Sequence, residues 1–277
     1  MSRAEYQLKT PQQLHEMVPA GLATAAALAA VKAAIRPGVS TLELDAVAEA
    51  AIIAHGGRSN FKLVPGYHHT ICASINEEVV HGIPAANRTL APGDIISIDA
   101  GAEVNGWNGD AAFTVVVPGG DAAVQSGREK LAAVTETSLW QAIAVLAKAR
   151  HLNEIGDAVE GNIEKQGDYG ILEEYVGHGV GRSMHEDPPV YNYRVRGSGP
   201  KVRPGLVVAI EPMVTAGSAK TFVSPDGWTV ATSDGSAAAH FEHTVAVNET
   251  GIWVLTAPDG GASMLSGYGI TPSLPKI

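Results

Sequence analysis

Five side chains able to hold a cation stand in order along this chain: Asp99, Asp110, His178, Glu211 and Glu242. Two of them sit in matching phrases. "PGDIISIDAG" at 92–101 and "PGLVVAIEPM" at 204–213 each run Pro-Gly, an apolar stretch, then an acid seven residues after the proline. The two acids, Asp99 and Glu211, are 112 positions apart. A carboxylate that closes a core-like run is costly unless something pairs with it. Between Asp99 and Asp110 lies Asn105-Gly106, a strong short-range signal for a β-hairpin. Folding that hairpin brings the two acids within a residue or two of register, where like charges repel and a cation relieves them.

Each of these residues also has a plainer reading. Asp110 follows Gly109 and could bond its own backbone as a turn residue. Glu211 could be a strand-end acid in water, and a lone histidine such as His178 is more often a satisfied polar group than a ligand. Glu242 lies inside the strand-like "AAAHFEHTVAV", where an unpaired carboxylate would be expensive. His178 lies in "GHGVG", whose glycines let backbone and ligand approach. That segment lacks the strand, helix and downstream acid of a dinucleotide fingerprint. Taken together, four carboxylates can neutralise two divalent cations. Two ions roughly 3.5–4 Å apart, bridged by carboxylates and a hydroxide, form a hydrolytic arrangement. Oxygen-rich ligation with one imidazole and no thiolate suits Mn, Fe, Co or Zn and does not choose among them.

The elements that would position these groups repeat. Ala/Leu-rich sequence from Leu22 to Ile35 predicts a helix, and Ser40 or Thr41 can cap a second that ends on Gly56-Gly57. Short β-rich runs follow from Phe61 to Val117. Helix is expected again over 127–150 and 152–165, and strands over 170–254. "STLELDAV" at 40–47 echoes "LNEIGDAV" at 152–159, and "VHGIP" echoes "MHEDP", with His81 and His185 each three residues before a proline. These echoes predict an internal duplication, about 10–125 and 126–254, within a single catalytic domain. Two halves facing across a pseudo-twofold axis would aim matching residues at one central cleft. Residues 255–277 are expected to form a loosely attached tail.

Composition narrows the partners. A net charge of −10 and a pI near 5.4 argue against nucleic acid, and no basic run would dock on an anionic membrane. Cys72 is the single cysteine, so there is no internal disulfide framework, and the start "MSRAEYQLKT" lacks a secretory pattern. A cytoplasmic protein is expected. The apolar window at 18–35 carries Pro19 and Lys32 and reads as a buried helix rather than a membrane span.

The ordered ligand set resembles that of the type I methionine aminopeptidases, which share the α+β pita-bread fold, two related halves of helices and antiparallel strands around a dimetal cleft. The supporting stretches are "PGVSTLELD", "SINEEVVHGIP", "PGDIISIDAG", "NGD", "GHGVGRSMHEDP", "VVAIEPM" and "DGWTVATSDGSAAAHFEHTV". They span roughly residues 10–254. The resemblance implies two divalent ions: Asp99 chelates one, Asp110 and Glu242 bridge both, and His178 with Glu211 completes the other. A bridging hydroxide would be the nucleophile and Glu211 the general base and acid. His185 would bind the substrate carbonyl and steady the oxyanion, and His81 would bond near the scissile nitrogen. Tyr67, Cys72, Met184 and Trp228, with Phe61 adjoining, would line an apolar pocket for a methionine side chain. The implied reaction is removal of the initiator methionine from nascent polypeptides, with a small second residue preferred, by a monomeric enzyme.

The chain departs from the family pattern at Ala100-Gly101, where some members carry a hydroxyl residue. It also has Asn108 for a histidine, Met184 for an aromatic residue and His240 for a glutamine. These bear on the pocket and the water structure, not on the ligands. The compact spacing lacks the insertion of type II enzymes between His178 and Glu211, and the start lacks the zinc-finger extension of eukaryotic type I enzymes. Two other readings remain open here. One is an aminopeptidase P or prolidase that cuts before proline; its relatives carry a further N-terminal domain and a more polar pocket. The other is a metal-free binding protein of the same fold, like the proliferation-associated relatives, which have lost ligands that this chain keeps.

Overall fold

Thr10 opens the first helix, α1 (Pro11–Ala34), through a reciprocal cap: its hydroxyl accepts from Gln13 N while the Gln13 side chain accepts from Thr10 N. The helix therefore begins well before Leu22 and runs through Pro19. Ser40 and Glu43 make the same box at the start of α2 (Thr41–Ala54), as the sequence suggested. Asp121 caps α3 (Ala122–Leu146) by accepting from Ala123 N and Val124 N, which starts it ahead of Gly127. A fourth helix, α4, spans Asn153–Gln166. The computed structural model describes residues 6–276.

Strands fill the intervals after each helix pair. Nine form one antiparallel sheet: β1 (Arg58–Ser59), β2 (Ile71–Ile75), β3 (Ile95–Val104), β4 (Trp107–Val116), β5 (Gly177–Gly179), β6 (Glu186–Val190), β7 (Val207–Ile210), β8 (Glu242–Asn248) and β9 (Gly251–Val254). Their order is β1-β3-β4-β8-β7-β5-β6, with β2 also pairing β3 and β9 also pairing β8. The β3–β4 hairpin turns on Asn105 and Gly106, both at positive φ (53° and 76°), as a tight two-residue turn requires. The portion before α3 and the portion that begins with it meet where β4 pairs β8, with Glu242 opposite Ala112. Each portion contributes a long helix, a 14-residue helix and its own strands. Isolated bridges Ser40–Thr89 and His151–Lys201 sit just ahead of α2 and α4.

Helix α1 is long and apolar enough to pass for a membrane span, yet Leu14, Met17, Ala20, Ala23, Ala27 and Val31 are buried in the main core. It lies directly on the hairpin. Thr24 Oγ1 donates to Gly109 O at 3.1 Å and accepts from Ala102 N at 3.2 Å. A Cβ on Gly109 would come within 2.9 Å of the Gly21 backbone, so glycine there permits the contact.

The end of the chain departs from the expected loose tail. Leu255, Thr256, Ala257 and Leu265 are buried. Ser273 N donates to Ile252 O, Asn248 Nδ2 donates to Ser273 O at 2.6 Å, and the His15 ring meets Pro275 O at 2.6 Å. A short helix, α5 (Ala262–Leu265), carries Leu265 into the core. Scattered small residues hid this packing, because the segment has no helical or strand period of its own.

Candidate metal centre and adjoining pocket

One row across the sheet builds the site. Cys72 on β2 faces Asp99 on β3, Asp99 faces Ala112 on β4, and Ala112 faces Glu242 on β8. Directly opposed residues share a face, so all four point the same way. Asp110 lies two residues before Ala112 on that face, opposite Gly101. The offset from Asp99 is thus two residues, within the range the hairpin signal implied. Glu211 follows Ile210, which pairs with His243, so Glu211 emerges beside Glu242. His178 comes from β5, which pairs with β7.

The groups converge. Asp99, Asp110 and Glu242 offer ligand atoms within 4.8 Å of one another, as do His178, Glu211 and Glu242, and Asp110, His178 and His185. His178 Nε2 stands 3.5 Å from Glu211 Oε1 and 4.0 Å from Asp110 Oδ2. Its Nδ1 lies 2.9 Å from Gly179 O; donating there leaves the Nε2 lone pair for the cluster. The His178 and His185 rings meet edge-on, with centroids 4.3 Å apart. The loop carrying His185 is anchored through the next residue, since Glu186 accepts from Ser183 N and pairs with the buried Lys9 ammonium at 2.7 Å. His81 holds a left-handed backbone (φ 61°), a strained conformation that also recurs at working sites, and packs edge-on against Tyr175.

Electrostatics mark this cluster off from the rest of the protein. Burial pushes Asp99 up to about 7, and it pushes Asp110, Glu211 and Glu242 well above the usual carboxylate range, with the neighbouring carboxylates adding to the rise. The histidines move the other way. Burial lowers His178 to about 3 and His81 to about 4, the His185 ring contributing to both, and His185 itself is lowered. Among the described residues, Asp99 Oδ1, Asp110 Oδ1 and Glu242 Oε1 are buried without a hydrogen-bond partner. Oxygens orphaned side by side are what a divalent cation would satisfy, so the residues present fit a metal.

Beside the row lies an apolar cluster: Phe61, Tyr67 and Cys72 are buried, with Met184 and Trp228 packed on them. All five pocket residues implied by the resemblance are thus together. Tyr67 meets Trp228 edge-on at 5.1 Å and Phe61 at 6.3 Å, and its hydroxyl donates to Ile71 O at 2.6 Å. Burial raises the Cys72 thiol well above its ordinary value and keeps it protonated, with Asp99 adding to the rise. Val64 and Ile83 also pack here, although no sequence signal singled them out; they sit in a 3₁₀ segment's exit and a loop. Asn108 bonds Gly181 O through Nδ2 at 3.0 Å and accepts from Asn60 Nδ2, so it ties the hairpin to the loop after His178.

The fold and this centre together define a metallopeptidase. Residues 15–249 match metallopeptidase family M24. Methionine aminopeptidase 1 of Bacillus subtilis is 45% identical over 90% of this chain and 98% of its own length. That of Mycobacterium tuberculosis is 45% identical over 88% and 92%. The crystal structure of the Thermotoga maritima methionine aminopeptidase superposes with a TM-score of 0.86 at 38% identity, covering 91% of this chain and 99% of that one. The prolidase from Pyrococcus furiosus shares the fold alone, at 20% identity and a TM-score of 0.65. The chain belongs to the methionine aminopeptidases of metallopeptidase family M24, with their pita-bread fold.

Proposed function

We propose that this protein removes the initiator methionine from nascent polypeptides, using two divalent ions held by Asp99, Asp110, His178, Glu211 and Glu242. The observation that carries the reading is the shared sheet row: orphaned carboxylate oxygens lie one strand from the apolar cluster at Cys72. An N-terminal side chain seated on Tyr67, Cys72, Met184 and Trp228 would bring the peptide bond on its carboxyl side to the metal ligands. Bound divalent ions supply Lewis acidity and activate water at neutral pH.

The protein's own groups do the rest. Glu211 takes the proton of the attacking water and passes it to the leaving amine. His185 donates to the carbonyl oxygen as it gains charge, and His81 bonds near the scissile nitrogen. The substrate's free amine would meet the metal site, so only chain ends are accepted. The enzyme acts as a cytoplasmic monomer in this reading, with neither nucleic acid nor membrane as partner.

The test is hydrolysis of Met-Ala-Ser and an Ala-Pro peptide by metal-stripped protein, before and after adding Co(II) or Mn(II). Methionine release that needs metal, with the Ala-Pro peptide left intact, is expected. Cleavage of the Ala-Pro peptide in preference would replace this reading with a proline-specific one. No release with any divalent metal would leave a binding role.

A further inference from the structure

The residue two before Glu242 is His240, and it is buried (2% exposed). Its backbone is fixed from three directions. His240 N donates to Thr114 Oγ1 at 2.8 Å and Ser97 Oγ at 3.2 Å, while Thr114 Oγ1 donates to His240 O at 2.7 Å. Ser97 and Thr114 are themselves cross-strand partners with their hydroxyls 2.8 Å apart. The pair grips the His240 backbone. Among the described residues, Nε2 is buried and has no hydrogen-bond partner. The acid it faces is Glu211, whose Oε2 is 3.7 Å away. The other oxygen of that carboxylate, Oε1, faces His178 Nε2 at 3.5 Å.

The geometry points to His240 as a positioning residue for Glu211: its Nε2–H holds Oε2 and turns Oε1 toward the metal side. This assignment rests on the proposed metallopeptidase reading of the site. At 3.7 Å the contact is a few tenths of an ångström beyond a hydrogen bond, a gap that a small rotation of the Glu211 side chain closes, and contacts in working sites commonly tighten on loading. The alternative use of Nε2, as a further metal ligand, is disfavoured by placement. His240 lies outside every group of metal-competent atoms that converge within 4.8 Å.

Two substitutions separate the possibilities: His240→Leu removes the donor, and His240→Gln retains an amide donor. Mn(II) titration of the metal-stripped proteins by calorimetry is read alongside steady-state release of methionine from Met-Ala-Ser. For His240→Leu we expect unchanged ion stoichiometry, Mn(II) affinity and kcat each lowered roughly 10- to 100-fold, and KM within about twofold. His240→Gln should recover affinity and kcat to within about threefold of wild type, since an amide replaces the donor. Loss of one ion's worth of stoichiometry in both variants would make His240 a ligand and overturn the assignment. A His240→Leu protein with unaltered affinity and kcat, changed only in melting temperature, would also overturn it. Wild-type protein that binds Mn(II) yet releases no methionine would refute the peptidase reading alone, and the affinity comparison would still decide the role of His240.

Discussion

Cys72 and Asp99 are cross-strand partners, and the sheet on either side of that pair behaves in opposite ways. On the Cys72 side, Phe61, Tyr67, Met184 and Trp228 pack together, with Tyr67 edge-on to Phe61 and to Trp228, and the Tyr67 hydroxyl is satisfied by Ile71 O. On the Asp99 side, three buried carboxylate oxygens lack partners among the described residues, and burial raises each carboxyl. That region costs the metal-free protein stability and is tolerable because a cation can supply the missing bonds. The comparison separates what shapes the pocket from what performs the reaction.

The sharpest way to break it is Glu211→Gln. The amide keeps the size of the side chain but cannot take a proton, so kcat should fall roughly 10²- to 10⁴-fold. KM should change little, because the pocket is untouched. A loss under tenfold in steady-state assays would remove Glu211 from proton transfer.

Next is Asp110→Asn in metal-stripped protein. Replacing a buried carboxyl that its neighbours repel once ionised should stabilise that form, while abolishing the rise in Tm that Mn(II) gives the wild type. Thermal melts with and without Mn(II) check both halves. A destabilised metal-free variant would mean that Asp110 is already paired within the protein.

The pocket side should respond in binding instead. Trp228→Ala removes the ring packed on Tyr67, and KM for methionyl peptides should rise about tenfold, or about 1.4 kcal/mol, with kcat nearly constant. A fall in kcat at constant KM would move Trp228 to the reaction side of the comparison.

The smallest effect is in pH. Buried carboxyls raised above their unfolded values stabilise the metal-free fold at low pH, and this is lost as pH rises through Asp99's value of about 7 and the raised range of its neighbours. Buried histidines lowered to about 3 or 4, namely His178, His240, His81 and His243, give stability that is present above about 6.5 and lost on acidification. The two trends oppose each other between about pH 4.5 and 6.5, and only the carboxyl trend continues above. The Tm of metal-stripped protein should therefore fall between pH 6.5 and 8, and that of Mn(II)-loaded protein should not. A flat metal-free profile over that interval would mean that the carboxyls are already ionised and paired.

Much of this was legible in the sequence because it rests on local spacing. Asn105-Gly106 fixed the hairpin, and the hairpin put Asp99 and Asp110 on one face. The repeated Pro-Gly phrases marked Glu211 as the counterpart of Asp99, and Ser40 marked the start of α2. What stayed hidden depends on contacts between distant segments. Nothing near His240 announces that Ser97 and Thr114, more than a hundred residues earlier, clamp its backbone. Val64 and Ile83 enter the pocket through loop geometry. The early start of α1 was written in Thr10 and Gln13, but the stronger apolar signal at Leu22 drew the boundary inward. The packed end of the chain is held by single hydrogen bonds and two buried leucines, a pattern with no period to read.

The most direct test of the account is anomalous diffraction from crystals of this protein soaked in Mn(II). The account expects two peaks roughly 3.5–4 Å apart, enclosed by Asp99, Asp110, His178, Glu211 and Glu242, with Asp110 and Glu242 touching both. No peak among these residues, or a peak held elsewhere, would contradict it and leave the buried carboxylates without an explanation.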